Sequence, residues 1–409
     1  MWDWGLAVRS ISFLSVASKT VAVASLVLVA AAGAAAFAAD LPLVTKAPPP
    51  PLSGGSFWAE VDYLAWTVKG DKLPPLVTTS VAGTPLSQAG VLGFPGTSVL
   101  FGDSTTNDKW RSGLRARLGY WFDSQHKTGI EGSFFGLEQA SAGFSASSTG
   151  TPILARPFFD ASLNQQSATL IAFPGALAGS VNINETSRLY GAGVLYRQEI
   201  GSWGAERFSV LAGYRYLHAS DDLGISSLST VTAINGPIPA GTAFGVNDSF
   251  KAISNFHGVD LGVIGEFTQG PWLLEWRAQV ALGANFNEAQ INGSTSINLG
   301  GVVTTSPGGL LALSSNIGNF SQTRFAVVPE LTLKAGYQFA PGWRVIGGYD
   351  LLYWTGVQRA GNLIDSTINT ALIPPATGGG PQRPQVQFNS SPLLAQGFSA
   401  GVRYEFGVR

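Results

Sequence analysis

No cysteine occurs among the 409 residues, and only 12% are Asp, Glu, Lys or Arg. Without thiols there can be no disulfide framework, no thiolate metal site and no cysteine nucleophile. A soluble exterior carries about a quarter to a third charged residues, so the outside of this fold must face lipid or be hidden in an assembly. Basic excess is lacking as well: 24 Lys and Arg stand against 25 Asp and Glu, which argues against a nucleic-acid partner. Long apolar runs are missing beyond the first forty residues, and the mean hydropathy is only +0.19. Membrane helices are thereby excluded from the main part of the chain. Neither H-x-x-x-H nor a D-x-D-x-D-G loop is present, and no G-x-x-x-x-G-K-S/T, so no metal or other cofactor is expected.

What is present begins with a leader. Arg9 and Lys19 precede an apolar run from Val21 to Ala35, and Ala36-Phe37-Ala38 suits cleavage, so residues 1–38 read as a secretory signal peptide. Residues 39–55 form a proline-rich segment containing Pro48 to Pro51, expected to lie in the periplasm. Residues 56–409 remain for the fold.

In that remainder, segments of strict period-two alternation recur. From Trp272 to Phe286 the even positions read Trp, Leu, Trp, Ala, Val, Leu, Ala and Phe, while the odd ones include Glu275, Arg277, Gln279 and Asn285. Such segregation puts one strand face in grease and the other in water. Ten segments of this kind are found, at 57–66, 111–122, 128–137, 189–200, 207–216, 256–267, 272–286, 324–339, 343–354 and 397–406. Short turns (123–127, 201–206, 268–271, 340–342) alternate with long connections (67–110, 138–188, 217–255, 287–323, 355–396). This is the pattern of an all-β transmembrane antiparallel barrel with periplasmic turns and long extracellular loops. Ten strands are expected, or twelve if 138–188 hides a hairpin, with both termini periplasmic. Pro329 cannot donate to a ladder, so a bulge is expected there.

Aromatics gather at segment ends. Phe57, Trp58, Tyr120, Trp121, Trp203, Trp272 and Trp343 lie near the short turns; Tyr63, Trp66, Trp110, Phe286 and Trp354 lie near the long connections. Two interfacial belts are expected, with outer-membrane lipid as the partner of the wall. Glycines in Gly119-Tyr120, Gly213-Tyr214, Gly336-Tyr337 and Gly348-Tyr349 should face inward, relieving crowding.

The segments 69–108 (KGDKLPPLVTTSVAGTPLSQAGVLGFPGTSVLFGDSTTND), 111–123 (RSGLRARLGYWFD) and 129–139 (GIEGSFFGLEQ) resemble the beta-barrel porin 7 family of outer-membrane proteins. So do 150–161 (GTPILARPFFDA), 170–181 (LIAFPGALAGSV), 188–193 (RLYGAG) and 210–217, and the resemblance covers essentially the whole mature chain. It implies a bacterial outer-membrane barrel, inserted by the barrel assembly machinery, with a porin role and no catalytic motif to transfer. Here Phe406 is followed by Gly407, Val408 and Arg409, a departure from barrels that end on an aromatic residue.

By alternation the lumen is lined by Glu60, Asp62, Arg115, Arg117, Glu131, Arg215, Asp260, Glu275, Arg277, Glu330, Lys334, Arg344, Asp350, Arg403 and Glu405, and the same parity points Glu199, Glu266, Arg111, Arg197, Arg207 and Arg324 inward. The balance of signs fits passive diffusion of small polar solutes or ions through a wet channel. It fits equally a lumen plugged by paired charges beneath loops used for surface interaction or adhesion; ten strands sit near the closed end of barrel sizes. An enzyme is not expected. Of the three general bases, His126 falls in a turn, His257 faces lipid, and His218 neighbours Asp221 and Asp222 in an outer connection. Finally, Leu73-Pro74-Pro75-Leu76 and Val91 to Gly96 are too apolar for a solvated loop. The block from Gly70 to Gly102 is therefore expected to fold over the barrel mouth and control access.

Overall fold

The computed structural model describes residues 55–233, 238–376 and 378–407. The leader 1–38 and all but the last residue of the segment 39–55 lie outside the described residues. Ten antiparallel strands form the wall: β1 (Phe57–Val68), β2 (Trp110–Trp121), β3 (Thr128–Leu137), β4 (Leu177–Trp203), β5 (Glu206–Val231), β6 (Ala243–Gln269), β7 (Trp272–Leu299), β8 (Gly318–Ala340), β9 (Trp343–Gln358) and β10 (Ser390–Glu405). Each pairs with its neighbours in sequence, and β10 returns to β1 with Trp58 opposite Glu405, so the ring closes. Closure satisfies the backbone amides and carbonyls that a lipid-exposed edge would leave bare.

The fold is thus the all-β barrel of ten strands that the alternation indicates. A hairpin does occur in the 138–188 connection, Leu154–Asp160 with Gln165–Ala172. It joins a separate small sheet with Val77–Ser80 and Thr97–Phe101 and adds no strand to the ring, whereas Ala140–Ser148 of the same connection pairs with the outer part of β4, Gly179 to Ser187. The first short turn is organised by Asp123. Its carboxylate accepts N–H bonds from Gln125, Lys127 and Thr128 and the Thr128 hydroxyl, and these bonds, that from Lys127 foremost, hold its pKa down to about 2.

Two expectations need correction. Strands β4 to β7 are 26 to 28 residues long, so the expected outer loops 217–255 and 287–323 are largely strand. Toward the turns, β4 presents Val194, Tyr196 and Ile200 outward; farther along it presents Asn182, Asn184 and Arg188, while Val181, Ile183 and Leu189 stay buried inside. The apolar face changes sides where the wall leaves the belt, and the lipid-type alternation ends there. The second correction is Pro329. The ladder to β7 passes it in unbroken register, Val280 opposite Pro329. No bulge forms because the ladder to β9 begins only at Glu330, and the Thr355 hydroxyl instead engages both backbone groups of Val327, accepting from its N–H at 2.8 Å and donating to its carbonyl at 3.1 Å.

The strand extensions make a half-cylinder whose concave side is filled by the connections. Leu73, Leu76, Val77, Leu154, Phe158, Leu310 to Leu313, Leu363 and Ile368 pack against Val181, Ile183, Leu223, Ile225, Phe250 and Ile291 of the wall. This plug contains the first apolar piece of the Gly70–Gly102 block in full. Of the second piece Val91 is buried, while Gly93 to Gly96 are exposed. Gly119 is required by close approach: a Cβ there would stand 2.1 Å from Trp58 Nε1.

Candidate functional site

From the turn end inward, the interior has four levels. The first is a vestibule of about 420 Å³ whose lining includes Trp58, Trp121, His126, Arg197, Arg344 and Glu405. The Arg197 guanidinium lies 4.8 Å over the Trp121 ring and that of Arg403 5.3 Å over Trp58, cation–π arrangements that hold both rings upright. His126 stacks on Trp121 and shares a 2.9 Å hydrogen bond with the Ser56 hydroxyl; burial lowers its pKa.

The second level is a layer of paired charges. Lys334 of β8 sits between Glu60 and Asp62 of β1, donating to Asp62 Oδ2 at 2.8 Å and to Glu60. Arg115 of β2 bridges Asp62 and Asp350 at 2.8 Å each. From β10, Arg403 joins Glu60 at 2.6 Å and Glu275 at 2.9 Å, and Arg117 lies 3.4 Å from Glu60. Arg277 pairs with Glu131, while Arg215 takes Asp260 at 2.7 Å and Glu330. Arg344 and Glu405, 3.7 Å apart and partly exposed, close the layer toward the vestibule. These fifteen residues all point into the barrel, and every one has an opposite charge within 4 Å. Arg197 and Glu266, inward by the same parity, form a further pair, whereas Arg324, also assigned inward, is exposed and among the described residues reaches only the Ser390 hydroxyl at 3.4 Å.

Above it the interior turns apolar. Leu64, Trp66, Leu217, Phe256, Val328 and Trp354 form a third level, in which Trp354 Nε1 donates to Asn285 Oδ1 at 2.8 Å and Trp66 meets Phe135 at 5.5 Å. Trp58, Trp66, Trp121 and Trp354, expected in the belts, all face inward instead. The signal was parity: Trp66 falls in step with Glu60 and Asp62, Trp354 with Asp350, and Trp121 with Arg115 and Arg117. A space of about 30 Å³ lies among Trp66, Arg115, Arg117, Arg215 and Glu330, room for a water molecule or so. The plug is the fourth level.

Among the described residues of the charged layer, each cation is neutralised sideways by a carboxylate on another strand. The histidines are dispersed. His218 lies on β5 and not in a loop, outward, stacked 4.5 Å from Tyr190 and bonded to Asn255, with Asp221 on the opposite face. His257 faces outward beside Tyr214 and Phe286.

Among solved structures, the chain is similar to the outer membrane protease OmpT from Escherichia coli, at 11% identity and TM-score 0.35, with 88% of this chain and 99% of that chain covered. It is similar to the outer-membrane expressed OmpT of Vibrio cholerae at 10% identity and TM-score 0.16, covering 89% and 100%. For the Ralstonia pickettii toluene transporter TbuX the values are 9%, 0.15, 87% and 90%. No curated protein sequence matches. The family profile of beta barrel porin-7 (BBP7) matches residues 58–406, nearly all of the barrel, and the chain belongs to this family of outer-membrane β-barrels.

Proposed function

We propose that this protein is a closed barrel of the bacterial outer membrane, with its turns and both ends in the periplasm, that presents its plugged end as a structured surface outside the cell. The observation that carries this reading is the filling of the lumen in three successive levels: Lys334 and Arg115 among their carboxylates, Trp66 and Trp354 above them, and the plug on top. A sheet of about ten strands encloses little more than its own side chains, and here those side chains occupy it. Passive diffusion of solutes, the role the family name suggests, then requires displacement of all three levels and is not the resting state. Hydrolysis is not part of the proposal, since His126, His218 and His257 stand in three separate environments, each already hydrogen-bonded.

The test is conductance of the refolded protein in planar bilayers. Background conductance is expected for the wild type and also after deletion of residues 73–96, because the apolar and charged levels remain beneath the plug. A steady ohmic conductance of the wild type would overturn the reading in favour of an open porin. Cleavage of 81–96 by protease added to intact cells tests the orientation.

A further inference from the structure

At the loop end, two plug segments and three wall strands bring charged groups together out of water. Asp71 and Arg359 come from the plug, and Arg111, Glu185 and Asp221 from β2, β4 and β5; none is more than 4% exposed. Arg359 donates to Asp221 and, at 2.9 Å, to the Lys69 carbonyl. Asp71 accepts from the Gly361 N–H at 2.6 Å. Arg111 reaches the Asn107 carbonyl at 3.0 Å and the Ser187 hydroxyl at 3.3 Å. The cluster thus ties the 69–73 and 359–361 segments to each other and to the wall.

Glu185 is the anomaly. Both of its carboxylate oxygens are buried without a donor. Its cross-strand neighbours are Leu223 and Ala142, both apolar, and the nearby Thr106 hydroxyl donates to the Asp71 carbonyl at 3.2 Å. Three carboxylates face two guanidiniums, and an isolated buried carboxylate without partners is among the costliest arrangements in a protein. One proton removes both problems.

We propose that Glu185 carries that proton while the plug is seated, and that losing it releases the plug from the wall, so that the cluster is a proton-dependent latch. Glu185 lies beyond the apolar belt, on the part of β4 whose outward residues are Asn184 and Arg188. Burial, reinforced by the Asp71 and Asp221 carboxylates and opposed by the neighbouring Thr106 hydroxyl and by Arg359, pushes its pKa to about 7, and burial pushes Asp71 to about 6. In a released plug both acids meet water and ionise at ordinary values. The seated form is therefore fully favoured at acid pH, loses ground as pH rises through about 4.5 to 7, and loses no more above that. A tenfold weakening per pH unit for the Glu185 proton gives about three hundredfold over this window.

The latch concerns movement of the plug and stands whether or not the lumen below conducts, so its test reads distance and not current. The chain has no cysteine, so Leu86→Cys in the plug and Leu228→Cys on β5, both exposed, give two unique spin-label sites on the full-length barrel in liposomes. One narrow distance at pH 5 that broadens at pH 8 is expected, with Glu185→Gln keeping it narrow at both. Glu185→Met, uncharged and of similar length beside the apolar Leu223 and Ala142, is expected to do the same should Glu185→Gln fail to insert. An identical distribution at pH 5 and 8 in the wild type, or broadening at pH 8 in the neutralised variants equal to that of the wild type, overturns the proposal.

Discussion

The carboxylate of Asp248 on β6 accepts three successive backbone N–H groups, from Leu310, Leu311 and Ala312 at 2.8 to 2.9 Å, while its other oxygen takes Arg156 Nη2 at 2.6 Å. Two plug segments are thereby fixed to one wall side chain. Asp248→Ala strands Arg156, whose Nε and Nη1 already lack partners, and removing one member of a buried pair costs about 3 to 5 kcal/mol. The expected outcome is a plug cut readily by trypsin around Arg156 in a barrel that still migrates in its folded, heat-modifiable form.

Lys334 gives the corresponding experiment inside the wall. Lys334→Met leaves Glu60 and Asp62 short of a cation and is expected to lower unfolding stability in detergent by about 3 to 5 kcal/mol. Adding Asp62→Asn should recover part of the loss. Simple additivity of the two changes would show that the pair is not coupled.

The height of the apolar belt is tested on one strand. Val280 faces lipid between Trp272 and Phe286 on β7, and Asn292 faces outward beyond it. Val280→Arg is expected to cost about 2 to 4 kcal/mol, as for a cation near the bilayer midplane, and Asn292→Arg close to nothing. Equal penalties in urea titrations of liposome-folded protein would put the belt elsewhere.

Trp354→Ala removes one of the two tryptophans of the apolar level and the donor to Asn285 Oδ1. A loss of about 3 to 5 kcal/mol is expected, read from the same titrations.

The turn at Asp123 predicts a pH dependence. A carboxyl lowered from 3.8 to about 2 in the fold contributes stability that is present above its unfolded value and fades as pH falls toward 2. Wild type should therefore lose more stability between pH 5 and 2 than Asp123→Asn, which starts lower. Parallel acid curves would remove the turn from the account.

How far the sequence could be read depends on which solvent each strand meets. In the belt, lipid and charge lie on opposite faces, so Trp272 to Phe286 declares both its type and its register. Beyond the belt the contrast reverses and weakens: Val181 and Ile183 point in while Asn182 and Asn184 point out, and the outward face need only be polar, which Ser, Thr and Asn of ordinary loops satisfy as well. The extensions of β4 to β7 were invisible for that reason. The fifteen interior charges follow from parity alone, but their partners do not, since Lys334 and Glu60 are 274 positions apart. Neither periodicity nor spacing reports that Trp66 and Trp354 meet the same apolar level from β1 and β9.

The meeting of β1 with β10 gives assembly a final step that can be checked. Arg403, on the last strand to be made, pairs with Glu60 on the first and with Glu275 on β7, and the Phe406 N–H bonds the Phe57 carbonyl. Until that seam is drawn shut, Glu60 and Glu275 lack their shared cation and the first strand has an open side. An unfinished wall thus leaves Lys334 and Arg117 as the partners of Glu60 and Glu275, short of one cation beside an open edge that lipid disfavours. A chain truncated before β10 is therefore expected to fail to reach the folded, heat-modifiable form in liposomes.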